Sequence, residues 1–446
     1  MEIGISALLI LILIAFGMSV NASFLAGAII YLLWSGTSLD SVASTAFFAL
    51  EKSSILAIPL FMLAGSLMDK AGIADRLIEL ADALLKKFKG AMGATIPVAS
   101  MLFGAVNGSG TATISALSKI MLVKLTRMGW DKRYTATMLA CSASLGYMIP
   151  PNMNAILFSS VANVSVAALF MATVIPGVIW GGLLMIINRI IYTKWYHPKN
   201  AIGHTEFTAI TTNEVLQDKE SGYWSNLFKA LLRAIPAIIM MVIIFAGIYS
   251  GLFSPTEAGA VAGIYALIVG LLYKTLGLKN IFSVFKETGQ SMGSFMIILP
   301  MVAIFSRYLI LNQVPQTIAG GIASITSNVI IIMLLIDLIL VISGMFLDAG
   351  VLILVITPML IPTAEMIGMP ITQLAVIMFV CVGIGTVTPP MAMNLFIASK
   401  ASGIEITDMM TPLKPLLLIG CIPVLILVTF VPEVSLWLPR ILGFSV

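Results

Sequence analysis

The sequence predicts an all-α polytopic membrane protein built from two repeats of opposite topology. Each repeat holds a re-entrant helical hairpin and a broken helix. Three observations carry this. First, the 446-residue chain is 59% hydrophobic and 10% charged, with mean hydropathy +1.07, whereas a soluble domain carries about 25% charged residues. Second, its apolar segments are long runs such as 235–248 and 329–341. Such runs suit helices, not the alternating ten-residue segments of a β-barrel. Third, glycine and proline breaks recur in the two halves at a nearly constant spacing.

Residues 1–41 are expected to form N-terminal scaffold helices. Two short apolar segments, 3–16 and 24–34, flank Gly17-Met-Ser-Val-Asn21 and read as a tight helical hairpin or a broken helix. Met1-Glu-Ile-Gly has no basic n-region and no small-residue cleavage site close behind its apolar run, so a first membrane helix is expected rather than a removed signal peptide.

Residues 42–192 form the first repeat. Its opening, 42–68, is an amphipathic start followed by Ile55-Leu-Ala-Ile-Pro-Leu-Phe-Met-Leu-Ala-Gly65. Over 70–89, Leu77, Leu80, Ala81, Leu84 and Leu85 recur at helical spacing with charge on the other face. An amphipathic helix at a membrane interface is expected, with a solvated loop helix as the alternative. The hairpin at 91–127 follows. Its tip, Gly104-Ala-Val-Asn-Gly-Ser-Gly-Thr-Ala-Thr113, has three glycines in seven residues, each costing a helix about 1 kcal/mol against alanine. The flanking apolar arms, 91–103 and 114–123, are too short to cross a bilayer twice at about 1.5 Å per residue. A tip at membrane depth is expected to use its freed backbone groups to bind something, because hydrocarbon cannot satisfy them. Residues 136–160 form a helix broken at Gly146-Tyr-Met-Ile-Pro-Pro-Asn152, where two prolines remove two donors. Residues 167–192 complete the half.

The segment 193–229 is the one long polar stretch and is expected to be a cytoplasmic loop with its tip at 203–222. Linking helices fill 230–287. Ser254, Pro255 and Glu257 make a helix start there, so Glu257 reads as a cap.

Residues 288–440 repeat the plan, with a hairpin at 329–366. Pro59 matches Pro300 at an offset of 241. Gly129, Gly146, Pro150 and Pro151 match Gly368, Gly385, Pro389 and Pro390 at an offset of 239. The second tip then falls on 343–352 and the second helix break on 383–390. Charge orients the halves. Lys119, Lys124, Arg127, Lys132 and Arg133 have no basic counterparts over 358–372. Lys70, Arg76, Lys86, Lys87 and Lys89 have none over 311–330, whereas Lys274, Lys279 and Lys286 precede the second half only. The positive-inside rule therefore sets the first hairpin opening from the cytoplasm and the second from outside. Inverted repeats with broken helices at the midplane are the architecture of secondary transporters.

Four breaks should meet near the bilayer centre. Freed carbonyls and the side-chain oxygens of Asn107, Ser109, Thr111, Ser144, Thr386 and Thr388 suit a hard monovalent cation. Helix N-termini there suit an anion. Asp348 either helps hold a cation or caps the following arm. A neutral oxygen cage points to Na⁺ rather than to a proton relay, which needs Asp, Glu or His in series. Arg307, alone in an apolar run, either meets a substrate carboxylate or has a structural or interfacial role. Asn152 and Asn394 follow the Pro-Pro pairs and either face substrate or cap the resumed helix. Cys141, Cys381 and Cys421 lie in apolar runs without CxxC spacing and read as core. The basic residues are spread over loops, so no nucleic-acid partner is inferred. No phosphate loop, HExxH or GxSxG motif occurs, so no enzyme signal or ATP site is read and no cofactor is expected.

At these motifs the sequence resembles the large membrane subunit of tripartite ATP-independent periplasmic (TRAP) transporters. The residues that carry the resemblance are the 104–113 tip, 146–151, Phe253-Ser-Pro-Thr-Glu-Ala258, Gly344-Met-Phe-Leu-Asp348 and Gly385-Thr-Val-Thr-Pro-Pro-Met-Ala-Met-Asn-Leu-Phe396. The resemblance covers essentially the whole chain. It implies an elevator-type, Na⁺-driven transporter of organic acids in a bacterial inner membrane. It also implies two partners, a small four-helix membrane subunit and a periplasmic substrate-binding protein. By that resemblance one cation site lies among Asn107, Ser109, Gly146 and Pro150, and the other among Gly344, Asp348, Thr386 and Pro389, to which the reading of the break itself adds the Thr388 hydroxyl. Thr111, Asn152, Asn394 and Arg307 remain the candidate substrate contacts. The chain departs from the family at Asn107-Gly-Ser-Gly110, Asn152 and Pro389-Pro-Met-Ala392, which bears on the substrate rather than on the fold. The alternatives are a stand-alone ion-coupled anion carrier and a non-transporting membrane assembly subunit.

Overall fold

The computed structural model describes residues 2–35, 39–85, 91–195, 197 and 223–446, and among them every regular element is a helix. Among the described residues, seven helices are long and apolar enough to cross a membrane, or eight if a bent pair counts as one span. The expected loop tip at 203–222 lies outside the described residues. The flanks of the 193–229 segment are helical, because Val166–Trp195 and Tyr223–Tyr249 extend into it.

The two N-terminal segments are helices Glu2–Ala15 and Val20–Ser35, packed on each other as a hairpin. The next span is bent by 55° between residues 40–51 and 54–70, where Lys52-Ser-Ser54 interrupts the apolar pattern. The amphipathic segment forms Ile73–Leu85 and buries Leu77, Ile78, Leu80 and Ala81. Its apolar face lies on Tyr223–Tyr249 and on the first hairpin arm. Its polar face ties to neighbours through Glu79–Arg233 at 3.2 Å and through an Asp82–Lys124 ion pair. Ser254 and Glu257 form the capping box of Pro255–Leu272, as their spacing predicts.

The hairpins and broken helices form the core. The first hairpin has arms Ala91–Asn107 and Gly110–Arg127, and the second has Val329–Phe346 and Ala349–Met366. The first broken helix runs Lys132–Ala143 with a 3₁₀ turn Ser144–Tyr147, opens over 148–152 and resumes as Met153–Ala162. The second runs Ile371–Gly385, opens over 386–392 and resumes as Met393–Ser402. The second arms start at Gly110 and Ala349, and the broken helices at Lys132 and Ile371. Both separations equal the 239 residues that part Ser144 from its hydrogen-bond partner Gly383.

Each first arm packs on the broken helix of its own half, while each resumed helix packs on the second arm of the other half. The halves are thus interleaved rather than side by side. Residues 372–385 are buried throughout, which places this helix at the centre. Small residues let these backbones approach, and such close packing is one source of helix association where lipid is as apolar as the side chains.

Candidate functional site

Each hairpin tip meets its broken helix at a pair of glycines. A Cβ built on Gly104 would stand 2.9 Å from the Gly146 Cα, and one on Gly146 would stand 2.9 Å from the Ser109 carbonyl oxygen. In the second half, a Cβ on Gly385 would stand 2.3 Å from the Gly344 carbonyl carbon. No side chain fits either junction, so both positions need glycine for close approach.

The first tip turns at Gly108, whose φ of +65° is the left-handed conformation glycine tolerates. Ser109 then caps the second arm, its hydroxyl accepting from Ala112 N at 3.4 Å and lying 3.0 Å from the Thr111 hydroxyl. The Asn107 side-chain oxygen Oδ1 accepts from Ser109 N at 2.8 Å and from the Thr113 hydroxyl at 3.3 Å. Asn107 Nδ2 is buried without a partner. Its free group is therefore a donor, which fits an anionic oxygen better than a cation. The Gly108 carbonyl accepts from Met153 N at 3.2 Å, which joins the tip to the residue after Pro150, Pro151 and Asn152.

In the second break, Thr386 donates to Gly383 O at 2.8 Å and Thr388 to Ile384 O at 2.7 Å. Both hydroxyls keep lone pairs for a cation. Asn394 is fully buried and donates to Thr386 Oγ1 at 3.1 Å and to Ala140 O at 3.5 Å. Its Oδ1 has no partner. Ser144 donates to Gly383 O at 2.9 Å. These bonds tie the two breaks together. The neutral oxygens at both junctions, with the carbonyls freed at the breaks, fit a hard monovalent cation.

Several candidates take their structural role. Asp348 caps the second arm by accepting from Gly350 N at 3.0 Å. Asn152 caps the resumed helix, accepting from Ala155 N at 2.8 Å, and is fully buried. The structure does not bring Arg307 to the breaks. It is exposed on helix Leu278–Leu311 and donates to Thr45 on helix Leu39–Glu51 at 2.7 Å. Pro150 is buried, whereas Pro389 is exposed beside Met391, 48% exposed. Both Pro-Pro bonds are cis.

Two contributors carried no assignment in the sequence. The Tyr147 ring fills the space over Gly110. The other is a cavity of about 700 Å³ lined by Lys119, Arg127, Lys132 and Lys400 together with Ser115 and Ser118. No carboxylate lines it, so it presents a positive field. The charge clusters in the sequence indicate these bases, but not that Lys400 of the other half joins them.

Outside the membrane core, Asp131 caps Lys132–Ala143. Burial opposes its charge, but hydrogen bonds from the Arg133 guanidinium and from the Arg133 and Tyr134 amides outweigh it. Its carboxyl is held below the usual range.

Residues 7–434 match the family described as the tripartite ATP-independent periplasmic transporter, DctM component. The chain is 32% identical over 422 residues to the C4-dicarboxylate TRAP transporter large permease protein DctM of Pseudomonas aeruginosa, covering 94% of each chain. It is 30% identical over 432 residues to the sialic acid TRAP transporter large permease protein SiaM of Vibrio cholerae, covering 96% of each. Among solved structures, its fold is similar to the YdaH transporter of Alcanivorax borkumensis, with TM-score 0.59, 15% identity and coverage of 91% and 90%. It is also similar to MtrF of Neisseria gonorrhoeae, with TM-score 0.58, 15% identity and coverage of 88% and 83%. On the family match and the near full-length relatives, the chain belongs to the DctM family of tripartite ATP-independent periplasmic transporters, as a multi-pass inner-membrane permease subunit and not an enzyme.

Proposed function

We propose that this permease drives Na⁺-coupled uptake of a small organic anion, a carboxylate or sulfonate, by an elevator movement. In this reading the hairpins and broken helices travel together against a scaffold that includes the N-terminal helices and Ile73–Leu85. The two halves have opposite topology, as their basic residues imply. The observation that carries the reading is the pair of glycine junctions, where each tip abuts a helix break among neutral oxygens. One cation is held by the oxygens of the first tip, around Ser109 and Thr111 with the carbonyls beside Gly146 and Pro150. The other is held by Thr386, Thr388 and the carbonyls between Gly344 and Pro389. Cation binding there draws each tip onto its break. The Asn107 amide N–H and the N-terminus of the second arm at Gly110 then face an anionic group. The basic cavity along that arm favours an anion leaving toward the side where Lys119 and Arg127 lie.

The partners in this reading are a small four-helix membrane subunit and a periplasmic binding protein that delivers the substrate. The relatives are named for C4-dicarboxylate, sialic acid and isethionate, so the anion is drawn from that chemical range. The test is uptake of a labelled organic acid into vesicles carrying both membrane subunits, with the binding protein outside. Uptake should follow an inward Na⁺ gradient. Equal uptake with and without the gradient would sink the coupling, and uptake that needs no binding protein would favour a stand-alone carrier.

A further inference from the structure

Asp337 has no part in the reading above. It sits midway along the first arm of the second hairpin, Val329–Phe346, between Ile336 and Leu338. It is buried, at 6% exposure. Both carboxyl oxygens face a single hydroxyl, Thr429 Oγ1, at 3.1 and 3.0 Å. Thr429 is itself wholly buried on helix Ile422–Phe430.

The surroundings carry no compensating charge. Among the described residues no Lys, Arg or His forms an ion pair with Asp337. Of the helices packed on this arm, Ile371–Gly385 brings Cys381, whose Sγ donates to Asp337 O at 3.9 Å. Ile422–Phe430 brings no titratable residue, and Ala349–Met366 brings only Glu365, at its far end. An isolated carboxylate in such a place costs several kcal/mol and neutralises instead. A bound metal ion would compete for the nearby backbone oxygens with Gln373 Nε2, which already donates to Val428 O and Thr429 O at 3.1 and 2.9 Å, and would find Gln373 Oε1 as a free neutral oxygen. The paired contacts fit a neutral acid. One hydroxyl proton serves one carboxylate oxygen. A protonated acid can donate to Thr429 Oγ1 through one oxygen and accept its proton through the other.

We infer that Asp337 and Thr429 form a proton-binding site, in which a protonated acid clamps the second hairpin to helix Ile422–Phe430 at neutral pH. The site is separate from the neutral oxygen cages at the tips.

The test is infrared spectroscopy of the purified membrane complex in lipid nanodiscs at neutral pH. The wild-type minus Asp337→Asn difference should show the C=O stretch of a protonated carboxyl that shifts in heavy water. Thr429→Val should move that band to higher frequency by removing its hydrogen bond. Carboxylate bands in place of the acid band would overturn the inference. If Asp337→Asn does not fold, the Thr429→Val spectrum decides, and a band unmoved from wild type overturns it. Thermal unfolding gives a second readout. A site that holds its proton in the folded state loses stability as pH rises, so the wild-type midpoint should fall toward alkaline pH more steeply than that of Asp337→Asn. Parallel pH profiles would overturn it. So would a midpoint raised by Na⁺ in wild type but not in Asp337→Asn, which would mark a metal cation site.

Discussion

Replacing Gly385 by Ala probes the junction between the second tip and its break. The new Cβ would stand 2.3 Å from the Gly344 carbonyl carbon and 2.5 Å from its oxygen, where ordinary contacts begin at 3.4 Å. The atoms it meets are backbone rather than a flexible side chain, so one of the two segments must move by about 1 Å. Overpacking of this kind costs about 1–3 kcal/mol. The tip is the end of a hairpin and yields more easily than the buried helix 372–385. If the strain is relieved by the tip withdrawing, the same energy is taken from cation binding, which lowers affinity by about 5- to 150-fold. The assay is the Na⁺ concentration for half-maximal uptake in vesicles, measured beside Gly182→Ala as a control. A Cβ on Gly182 meets nothing within 4 Å, so that variant should match the parent. A folded Gly385→Ala protein with an unchanged Na⁺ requirement would refute the cation site at this junction.

Further outcomes follow from the same geometry. Ser109→Ala removes the cap of the second arm, at a cost of about 1 kcal/mol, and a cation oxygen. Both thermal stability and Na⁺ affinity should fall, and Thr388→Val should raise the Na⁺ requirement without loss of a cap. Arg307→Gln should leave the substrate concentration for half-maximal uptake unchanged, because its guanidinium is spent on Thr45. A severalfold rise would return it to the substrate site. The Asp131 carboxyl is held below its ordinary range, so its contribution is full above the unfolded carboxyl's range and lost as pH falls through the folded value. Acid should therefore lower the thermal midpoint of wild type more steeply than that of Asp131→Asn, and identical profiles would contradict that role.

The backbone plan was legible because helix breakers act locally. Gly108, Gly146 and the paired prolines interrupt helices wherever they stand, and the structure opens at all four predicted breaks. Composition gave the membrane class for the same reason. What could not be read is which side chain reaches which partner. Asn152 and Asp348 had two roles each in the sequence, and the hydrogen bonds from Ala155 N and Gly350 N show both as caps. The interleaving of the halves, with Asn394 reaching Ala140, depends on long-range packing that no local pattern encodes. Asp337 was hidden in an apolar run, since one acid barely alters the hydropathy of Val329–Phe346. The charge of Ile73–Leu85 marked a face correctly but not what covers the other, which the structure shows to be protein.

The central claim is that the two tip–break junctions hold Na⁺. Its most direct measurement is a high-resolution structure of the complete membrane complex in Na⁺, paired with one in choline. Ordered cation density should lie beside Ser109 and Gly146 and beside Gly344, Thr386 and Thr388 in Na⁺, and vanish in choline. Junctions that show no cation in Na⁺, or a cation bound elsewhere in the core, would contradict the account.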